Sequence, residues 1–501
     1  WPKFALALQS FKHCTPLGAH PMERATWPRM AVLLWMLHVT QAAIPRVAVI
    51  GAGISGGSAV HFLRNLLGDE VEIVVYEASD QPGGRTLTRT FANMTIDVGG
   101  TAIYSKNKYV SGFAKLFNLP PEDENSTNDV IGIWDGSKIR IELDTDSSWL
   151  AGAKALLRYG LSPLRIIPAV RETVKKFDRI YELQDQNRSF SSPAELLMAL
   201  GLFNLTQVSA YDYFSQLGVG DLFTKELIDG ASRCNYNQAG NVNSFTDLIS
   251  LAGAGVAGHV FGLANGTQDI SKGLVKVANR LRLNDRVTEI YDAESGYVVV
   301  SNGPAEPRKD HFDGVIVATP LEMAGIKLPT EAQQRAGHGR EYQSTYVTFV
   351  HGQLNASYFS HDPMKSRKLP AALFTPEDSS SPFVSFSIHK VFADDSVVVK
   401  LFSRMELQDV DVGQIFVKVF EIFRWTWKAY PKLQPMSPEN WASFRLDKRA
   451  LLYTSGLETS ASAMEVAAIA GRNGALLMKK ALASRDEFHQ VPLQSEIIGT
   501  I

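Results

Sequence analysis

A glycine-rich turn between two buried strands constrains the fold of this chain most strongly. Val47–Ile50 is a continuous apolar run, typical of a strand buried on both faces of a parallel sheet. Three glycines, Gly51, Gly53 and Gly56, follow at once, and apolar residues then recur at helical spacing. Val71–Tyr76 predicts the next strand. The order strand, turn, helix, strand predicts a β-α-β nucleotide-binding unit.

The spacing of these glycines is suited to the diphosphate of a dinucleotide. The first permits a tight turn, the second lets the backbone approach the diphosphate, and the third lets helix and strand pack closely. The helix N-terminus offers unpaired N–H groups to the anion, and Glu77 is placed to accept hydrogen bonds from ribose hydroxyls. The predicted contacts in this loop are Gly51, Ala52, Gly53, Ser55 and Gly56.

A second glycine-rich loop distinguishes FAD from NAD as the bound dinucleotide. A resident flavin is commonly held by further loops, whereas a mobile nicotinamide needs none. Gly84 and Arg85 combine a close backbone approach with a guanidinium that can pair with phosphate. Gly99 and Gly100 add another close approach. The sequence therefore favours FAD.

These motifs resemble the glutathione-reductase-type flavoproteins of the amine-oxidase branch. Members also share a late FAD-binding segment, and here Gly456 and Glu458 precede a helix predicted to begin near Met464. The N-terminus of that helix would point at the flavin or its phosphate. The resemblance implies FAD contacts from Glu458, Met464 and Val287.

The chain resembles the prenylcysteine oxidase, or farnesylcysteine lyase, family over most of its length, from Val47 to about Leu477. One loop, Asn265–Leu274, departs from the family, which tends to have a double glycine and an asparagine there. The strings that carry the resemblance are Arg233–Gln238, Trp427–Pro435 and Leu457–Leu477.

The resemblance implies a flavin-dependent thioether oxidase. Such an enzyme converts farnesyl- or geranylgeranylcysteine to cysteine, a prenyl aldehyde and hydrogen peroxide, with O2 as acceptor. Hydride loss from the allylic carbon gives a cation spread over sulfur and the double bond, so no strongly basic side chain is required. Arg233 and Tyr236 are the candidate catalytic residues, at the amino-acid end of the substrate or against the flavin. Pairing of Arg233 with an Asp at a domain junction is the alternative.

Other functions remain open at this stage. A flavin amine or polyamine oxidase is the nearest enzymatic alternative, although no run of acidic or aromatic residues suggests an ammonium site. A non-catalytic prenyl-binding protein on the same fold is the second, and a carotenoid-type desaturase or isomerase is the third. The complete set of flavin motifs argues against the non-catalytic alternative.

The fold class follows as α/β, with an FAD-binding Rossmann-like domain (β-β-α plus parallel sheet) and an inserted mixed α+β substrate domain. Arg286–Tyr291 and Asp313–Pro320 are predicted as further strands of the nucleotide-binding sheet, and Ser344–Val350 and Val397–Phe402 as strands of an antiparallel sheet. The expected boundaries are 44–110, 266–330 and 441–484 for the FAD domain, 111–265 and 331–440 for the substrate domain, and 485–501 for a tail.

Residues 1–43 are predicted to comprise a signal peptide and upstream residues. The apolar run Met30–Ala43 is too short to span a bilayer but suits a signal-peptide core; a buried helix turn is the alternative. Six N-x-[ST] triplets also favour a glycoprotein of the secretory pathway. They begin at Asn93, Asn125, Asn187, Asn204, Asn265 and Asn355. The family resemblance implies that its compartment is a lysosome or vacuole in which prenylated proteins are degraded.

Composition narrows the partners. A net charge of −2 and 20% charged residues give no basic face for nucleic acid. Neither a stable membrane span nor a metal-ligand spacing is predicted. Cys234 is interpreted as a small buried hydrophobe without a redox partner, and neither His259 nor His389 has a pattern that indicates catalysis.

Overall fold

The computed structural model describes residues 44–122, 130–144, 148–256, 258–304, 306–337, 339–359 and 369–489. The chain divides into two units, Trp1–Ile44 and Pro45–Ile501, and only Ile44 of the first is described. The predicted signal peptide and the Asn125 triplet therefore lie outside the described residues. The last helix continues to His489, five residues into the expected tail.

The described residues form the following elements. The strands are β1 (Arg46–Ile50), β2 (Glu72–Tyr76), β3 (Thr88–Phe91), β4 (Met94–Asp97), β5 (Ile103–Tyr104), β6 (Val130–Trp134), β7 (Ile139–Asp144), β8 (Val260–Phe261), β9 (Arg280–Arg282), β10 (Arg286–Asp292), β11 (Tyr297–Asn302), β12 (Pro307–Phe312), β13 (Gly314–Val317), β14 (Tyr342–Leu354), β15 (Ala372–Phe374), β16 (Ser385–Val391), β17 (Val397–Ser403), β18 (Phe416–Pro431) and β19 (Leu451–Tyr453). The α-helices are α1 (Ile54–Leu67), α2 (Lys108–Leu116), α3 (Ser148–Tyr159), α4 (Ser162–Asp185), α5 (Pro193–Leu200), α6 (Ala210–Gln216), α7 (Asp221–Phe223), α8 (Asp229–Tyr236), α9 (Ser244–Leu251), α10 (Gln268–Val275), α11 (Leu321–Ala324), α12 (Thr330–Arg335), α13 (Asp409–Ile415) and α14 (Met464–His489).

A five-stranded parallel sheet in the order β19-β13-β1-β2-β9 forms the nucleotide-binding layer. Val47 of β1 pairs with Gly314 of β13 on one side and with Ile73 of β2 on the other. The central strands are buried, as their continuous apolar runs predict, and α1 packs against α14 and α10. The predicted β-α-β unit is therefore present, and the predicted strand at 313–320 belongs to this sheet.

The prediction that Arg286–Tyr291 joins the parallel sheet was wrong. These residues form β10 of a separate antiparallel sheet, in the order β10-β11-β12. The fifth parallel strand is β9, a polar edge strand with the sequence RLR. An edge strand of this kind has no apolar run, so periodicity alone does not find it.

A seven-stranded mixed sheet forms the second layer, in the order β18-β14-β17-β16-β15-β6-β7. β14 pairs antiparallel with both β17 and β18, which confirms the antiparallel sheet predicted from Ser344–Val350 and Val397–Phe402. Only β15 and β6 pair in parallel among the described strands of this sheet. Helices α3, α4, α6 and α9 build a separate apolar cluster around Ile166, Val170 and Leu248.

Candidate functional site

The carboxyl ends of β1 and β13 open onto a cavity of about 290 Å³, here named the glycine-loop cavity. The predicted cofactor residues that line it are Gly51, Gly53, Ser55, Glu77, Gly84, Arg85, Gly100, Glu458 and Met464. Of the remaining four, Ala52 is fully buried beneath the loop, Gly56 packs against it, and Gly99 and Val287 line the two neighbouring cavities.

The glycines of this loop have the geometry that their spacing predicts. Gly51 has φ +104°, a conformation that L side chains rarely adopt. A Cβ on Gly56 would lie 1.9 Å from the carbonyl oxygen of Gly51, so a side chain there cannot coexist with this turn. The close approach leaves the N-terminal turn of α1 open toward the cavity, where it can accept an anion.

Glu77 is held in a fixed orientation at the edge of this cavity. Its Oε2 accepts a hydrogen bond from the Ala52 amide at 2.9 Å, and its Oε1 accepts one from the Ser79 amide at 2.9 Å. The carboxylate also lines the next cavity, of about 310 Å³, together with Val287. We name this space the β2–β10 cavity. Glu77 therefore lies between two cavities that share Gly51, a position suited to binding a ribose.

Asp285 in the β2–β10 cavity was missed by sequence analysis. Its side chain is 2% exposed, and neither carboxylate oxygen has a hydrogen-bond partner in the described part of the chain. Arg308 forms an ion pair with this carboxylate, with Nη1 3.6 Å from Oδ2, which is too long for a hydrogen bond. A buried carboxylate without hydrogen bonds is costly, so Asp285 is suited to accept one from a ligand. The signal available in the sequence was the position of this acidic residue directly before strand β10.

Arg85 and Glu458, predicted separately as cofactor ligands, form an ion pair with each other. Arg85 also donates to the carbonyl oxygen of Ala429 at 2.9 Å, and Ser462 and Tyr342 donate to Glu458 at 2.7 and 3.1 Å. Burial opposes the charge on Glu458, but the nearby arginines outweigh it and lower the pKa of this carboxyl. This ion pair links the second glycine-rich loop, which contains Arg85, to the segment before α14, which contains Glu458.

Next to the glycine-loop cavity lies a larger cavity of about 390 Å³, here named the aromatic cavity. The two share a wall formed by Gly100, Tyr430 and the first turn of α14, including Met464. α14 begins at Met464, as predicted. Apolar side chains, including Val174, Phe177, Ile249, Phe374, Phe386 and Phe402, cover most of the aromatic cavity.

The two candidate catalytic residues have different positions. Tyr236 lines the aromatic cavity, with its ring edge-on to Tyr430 at 5.5 Å between centroids. Arg233 lines none of the three cavities; its guanidinium is ion-paired with Glu377 and donates to Thr375 at 3.2 Å. These contacts favour the structural alternative for Arg233, with a glutamate as its partner.

Lys400 is a buried ammonium in the wall of the aromatic cavity that sequence analysis did not identify. It donates to the carbonyl oxygens of Asp97 and Gly99, at 2.8 and 3.4 Å, and to the Thr101 hydroxyl at 3.2 Å. Burial lowers the pKa of Lys400 to about 8, although Asp97 partly offsets this effect. A lone lysine in a strand pattern carries no sequence signal for such a position.

Trp427 adds an unsatisfied donor to the glycine-loop cavity. Its indole Nε1 is buried and has no hydrogen-bond partner among the described residues. The residue lies in β18, within one of the strings that carry the family resemblance. An indole N–H in a cofactor cavity is suited to a polar atom of the ligand.

The described segments contain no cluster of three or more His, Cys, Asp or Glu side chains that could hold a metal ion. No helix in the same segments has both the length and the apolar content needed to cross a membrane.

Comparison with known proteins assigns the family. A family model described as prenylcysteine lyase matches residues 143–490. The chain belongs to the prenylcysteine lyase family. A second model, an NAD(P)-binding Rossmann-like domain, matches residues 49–117, which include the glycine loop and α1. The family resemblance and the Rossmann-like fold predicted from the sequence are thereby confirmed.

Curated relatives match most of the chain. It is 33% identical over 469 residues to a farnesylcysteine lyase of Arabidopsis thaliana, covering 88% of this chain and 90% of the relative. It is 30% identical over 459 residues to human prenylcysteine oxidase 1, covering 86% and 88%. The similarity therefore extends over most of each protein.

Solved structures show the same fold at low sequence identity. Cyclohexylamine oxidase from Brevibacterium oxydans matches with a TM-score of 0.59 at 16% identity, covering 88% of this chain and 99% of that one. A putrescine oxidase variant matches with a TM-score of 0.56 at 15% identity, with coverages of 88% and 99%. These matches support the predicted fold class, an FAD-binding Rossmann-like domain combined with a mixed α+β domain.

Proposed function

We propose that this protein is an FAD-dependent oxidase that cleaves farnesyl- or geranylgeranylcysteine to cysteine, a prenyl aldehyde and hydrogen peroxide, with O2 as acceptor. The observation that carries the proposal is that the glycine-loop cavity and the aromatic cavity are neighbours, with Gly100, Tyr430 and Met464 in the walls of both. A redox cofactor in the first cavity would meet an apolar substrate in the second. Membership of the prenylcysteine lyase family supports the choice of substrate.

The residues of the three neighbouring cavities fit FAD. The glycine loop and the N-terminus of α1 suit the diphosphate, while Glu77, Val287 and Asp285 suit the adenosine end. The shared wall at Met464 suits the isoalloxazine ring. When bound, FAD supplies the two-electron acceptor that thioether oxidation requires.

The protein's own residues position the substrate and exclude water. Phe177, Phe374 and Phe402 offer an apolar surface to the prenyl chain. Asp178 and Lys106, which also line this cavity, carry the opposite charges that the ammonium and carboxylate of the cysteine need. Asp178 is half-buried and Lys106 is exposed, so the amino-acid end would lie nearer to solvent than the prenyl chain.

Anaerobic mixing of the purified flavoprotein with farnesylcysteine tests the proposal. Loss of the flavin absorbance band is expected, followed by its return and stoichiometric peroxide when O2 is admitted. Farnesol, which lacks the thioether, should cause no loss. Persistence of the band with farnesylcysteine would refute the proposal.

The same assay separates the two alternatives. Bleaching by spermine but not by farnesylcysteine would identify an amine or polyamine oxidase, the activity suggested by the names of the structural neighbours. A colourless protein that binds farnesylcysteine and takes up no FAD would identify a non-catalytic prenyl-binding protein.

The proposed location is the lysosome or vacuole, reached through the secretory pathway. Four of the six glycosylation triplets have exposed asparagines, at Asn93, Asn187, Asn204 and Asn265. Exposed acceptors in separate loops favour glycan attachment. A decrease in apparent mass after treatment of the expressed protein with an N-glycosidase is expected. An unchanged mass, with fluorescence of a tagged chain in the cytosol, would exclude this route.

A further inference from the structure

The helical hairpin of α3 and α4 exposes an unusual number of leucines. Leu157 is 89% exposed, Leu161 61% and Leu164 55%, and Leu150 and Leu156 are also exposed. Leu150 lies in the first turn of α3, Leu156 and Leu157 lie in its last turn, and Leu161 and Leu164 follow Gly160 at the start of α4. We name these five residues the leucine face. Exposed apolar side chains grouped in this way mark an interaction surface.

The leucine face lies in a segment without acidic residues. Residues 148–171 contain Lys154, Arg158, Arg165 and Arg171 and neither Asp nor Glu. Arg158 is neutralised by an ion pair with the buried Glu226. The other three form no ion pair with a described residue; Lys154 and Arg165 donate instead to backbone carbonyl oxygens. Glu172, directly after the segment, is paired with Lys176, and Asp221, next to the turn at Gly160, reduces the local charge. The surface around the leucines is therefore basic.

We propose that the leucine face binds peripherally to an anionic lipid bilayer. A short amphipathic element with leucines on one side and cations beside them has the composition of a segment that lies in the bilayer interface. The same charges disfavour a second copy as the occupant, because a two-fold contact would bring cations against cations. The absence of a spanning helix in the described segments is compatible with peripheral binding.

The hairpin also connects the leucine face with the aromatic cavity. α4 begins beside Leu161, buries Ile166 and Val170 in the core, and lines the cavity with Val174 and Phe177. A lipid-soluble substrate that reaches the protein from a bilayer would therefore arrive on the element that forms part of its binding site. This delivery rests on the proposed function, whereas membrane binding itself does not.

Vesicle co-sedimentation of the full flavoprotein, without substrate, tests the proposal. The protein should sediment with vesicles of phosphatidylcholine and phosphatidylserine, and much less with phosphatidylcholine alone. The double variant Leu157→Ser/Leu161→Ser should bind about a hundredfold more weakly, since each leucine contributes about tenfold. Met405→Ser/Val417→Ser, which changes side chains 79% and 67% exposed on another surface, is the matched control and should bind normally.

Charge reversal provides a second variant. Lys154→Glu/Arg171→Glu should remove the preference for anionic vesicles, with about fivefold weaker binding for each lost cation.

Three results would each overturn the proposal: wild-type protein that stays in the supernatant, equal binding to both vesicle types, or normal binding of the leucine variant. Loss of a dimer in the leucine variant, with no vesicle binding by the wild type, would instead identify a protein interface. Oxidation of dissolved farnesylcysteine should be unchanged in the leucine variant. If neither the wild type nor any variant oxidises farnesylcysteine, the proposed function is wrong, but the proposal of membrane binding is unaffected.

Discussion

Replacing Lys400 by methionine should change how stability depends on pH. Lys400 is buried, and burial lowers its pKa from 10.5 to about 8. This difference corresponds to about 3 kcal/mol at about 1.4 kcal/mol for each pKa unit. Below pH 8 the lysine is charged in both folded and unfolded chains, so the folded state carries the whole cost. As the pH rises from 8 to 10.5 the folded state loses its proton first and the cost disappears.

The quantity to compare is the difference in free energy of unfolding between the wild type and Lys400→Met. Titrations that the two proteins share contribute equally to both and cancel in this difference. By pH 9.5 the wild type should recover about 2 kcal/mol of free energy of unfolding relative to Lys400→Met. With an unfolding entropy of about 2.1 cal/mol/K per residue, this corresponds to about 2 °C in Tm. Thermal unfolding of the FAD-saturated proteins between pH 7 and 9.5 measures it. Lys418→Met is the control, because Lys418 is exposed on β18.

A difference in Tm that stays constant over this range would refute the reasoning. It would mean that Lys400 is solvated in the folded protein, or that its carbonyl partners at Asp97 and Gly99 compensate burial completely. A difference of the opposite sign would mean that an anion stabilises the ammonium. Either result would exclude the lowered pKa of Lys400 on which the prediction depends.

Three further substitutions test the site. Gly56→Ala should abolish FAD retention, measured by flavin absorbance after gel filtration, because its Cβ would meet a carbonyl oxygen at 1.9 Å; Gly152→Ala, with open space at its Cβ, should retain FAD. Asp285→Ala should weaken FAD binding about tenfold to a hundredfold in flavin-fluorescence titrations without lowering the Tm of the apoprotein, and unchanged affinity would exclude the proposed contact. Arg233→Met should lower the free energy of unfolding by about 1 to 3 kcal/mol, because the contacts with Glu377 and Thr375 are lost. A raised KM for farnesylcysteine at normal stability would show instead that Arg233 binds the substrate.

The nucleotide-binding layer was predictable because its signals are local. Each signal lies within one strand and the turn beside it. The signals are the apolar run before Gly51, the spacing of the glycines after it, and Glu77 directly after β2. The position of β9 was not predictable in this way. An edge strand needs only one row of partners, so its polar sequence carries little information about the sheet to which it belongs.

The site was less predictable where distant segments meet. Arg85 and Glu458 are 373 residues apart, and each was identified as a ligand without any signal that they pair. Lys400 and Asp285 owe their significance to burial, which single-residue patterns do not report. Arg233 was identified through a family string, but a string does not say which way a side chain points. Local geometry was therefore recovered from sequence, and long-range pairing was not.

The aromatic cavity disfavours charge on the groups that could act as bases or nucleophiles. Burial raises the pKa of the Cys234 thiol to about 11 and lowers the pKa of His389 to about 3, so both are neutral near pH 7. Hydride loss from an allylic thioether needs no strong base, and the neutral histidine is compatible with that requirement. The proposed product is an unsaturated aldehyde, with which a thiolate reacts much faster than a thiol. A cavity that keeps Cys234 protonated would therefore permit the oxidation while limiting addition of this thiol to the product.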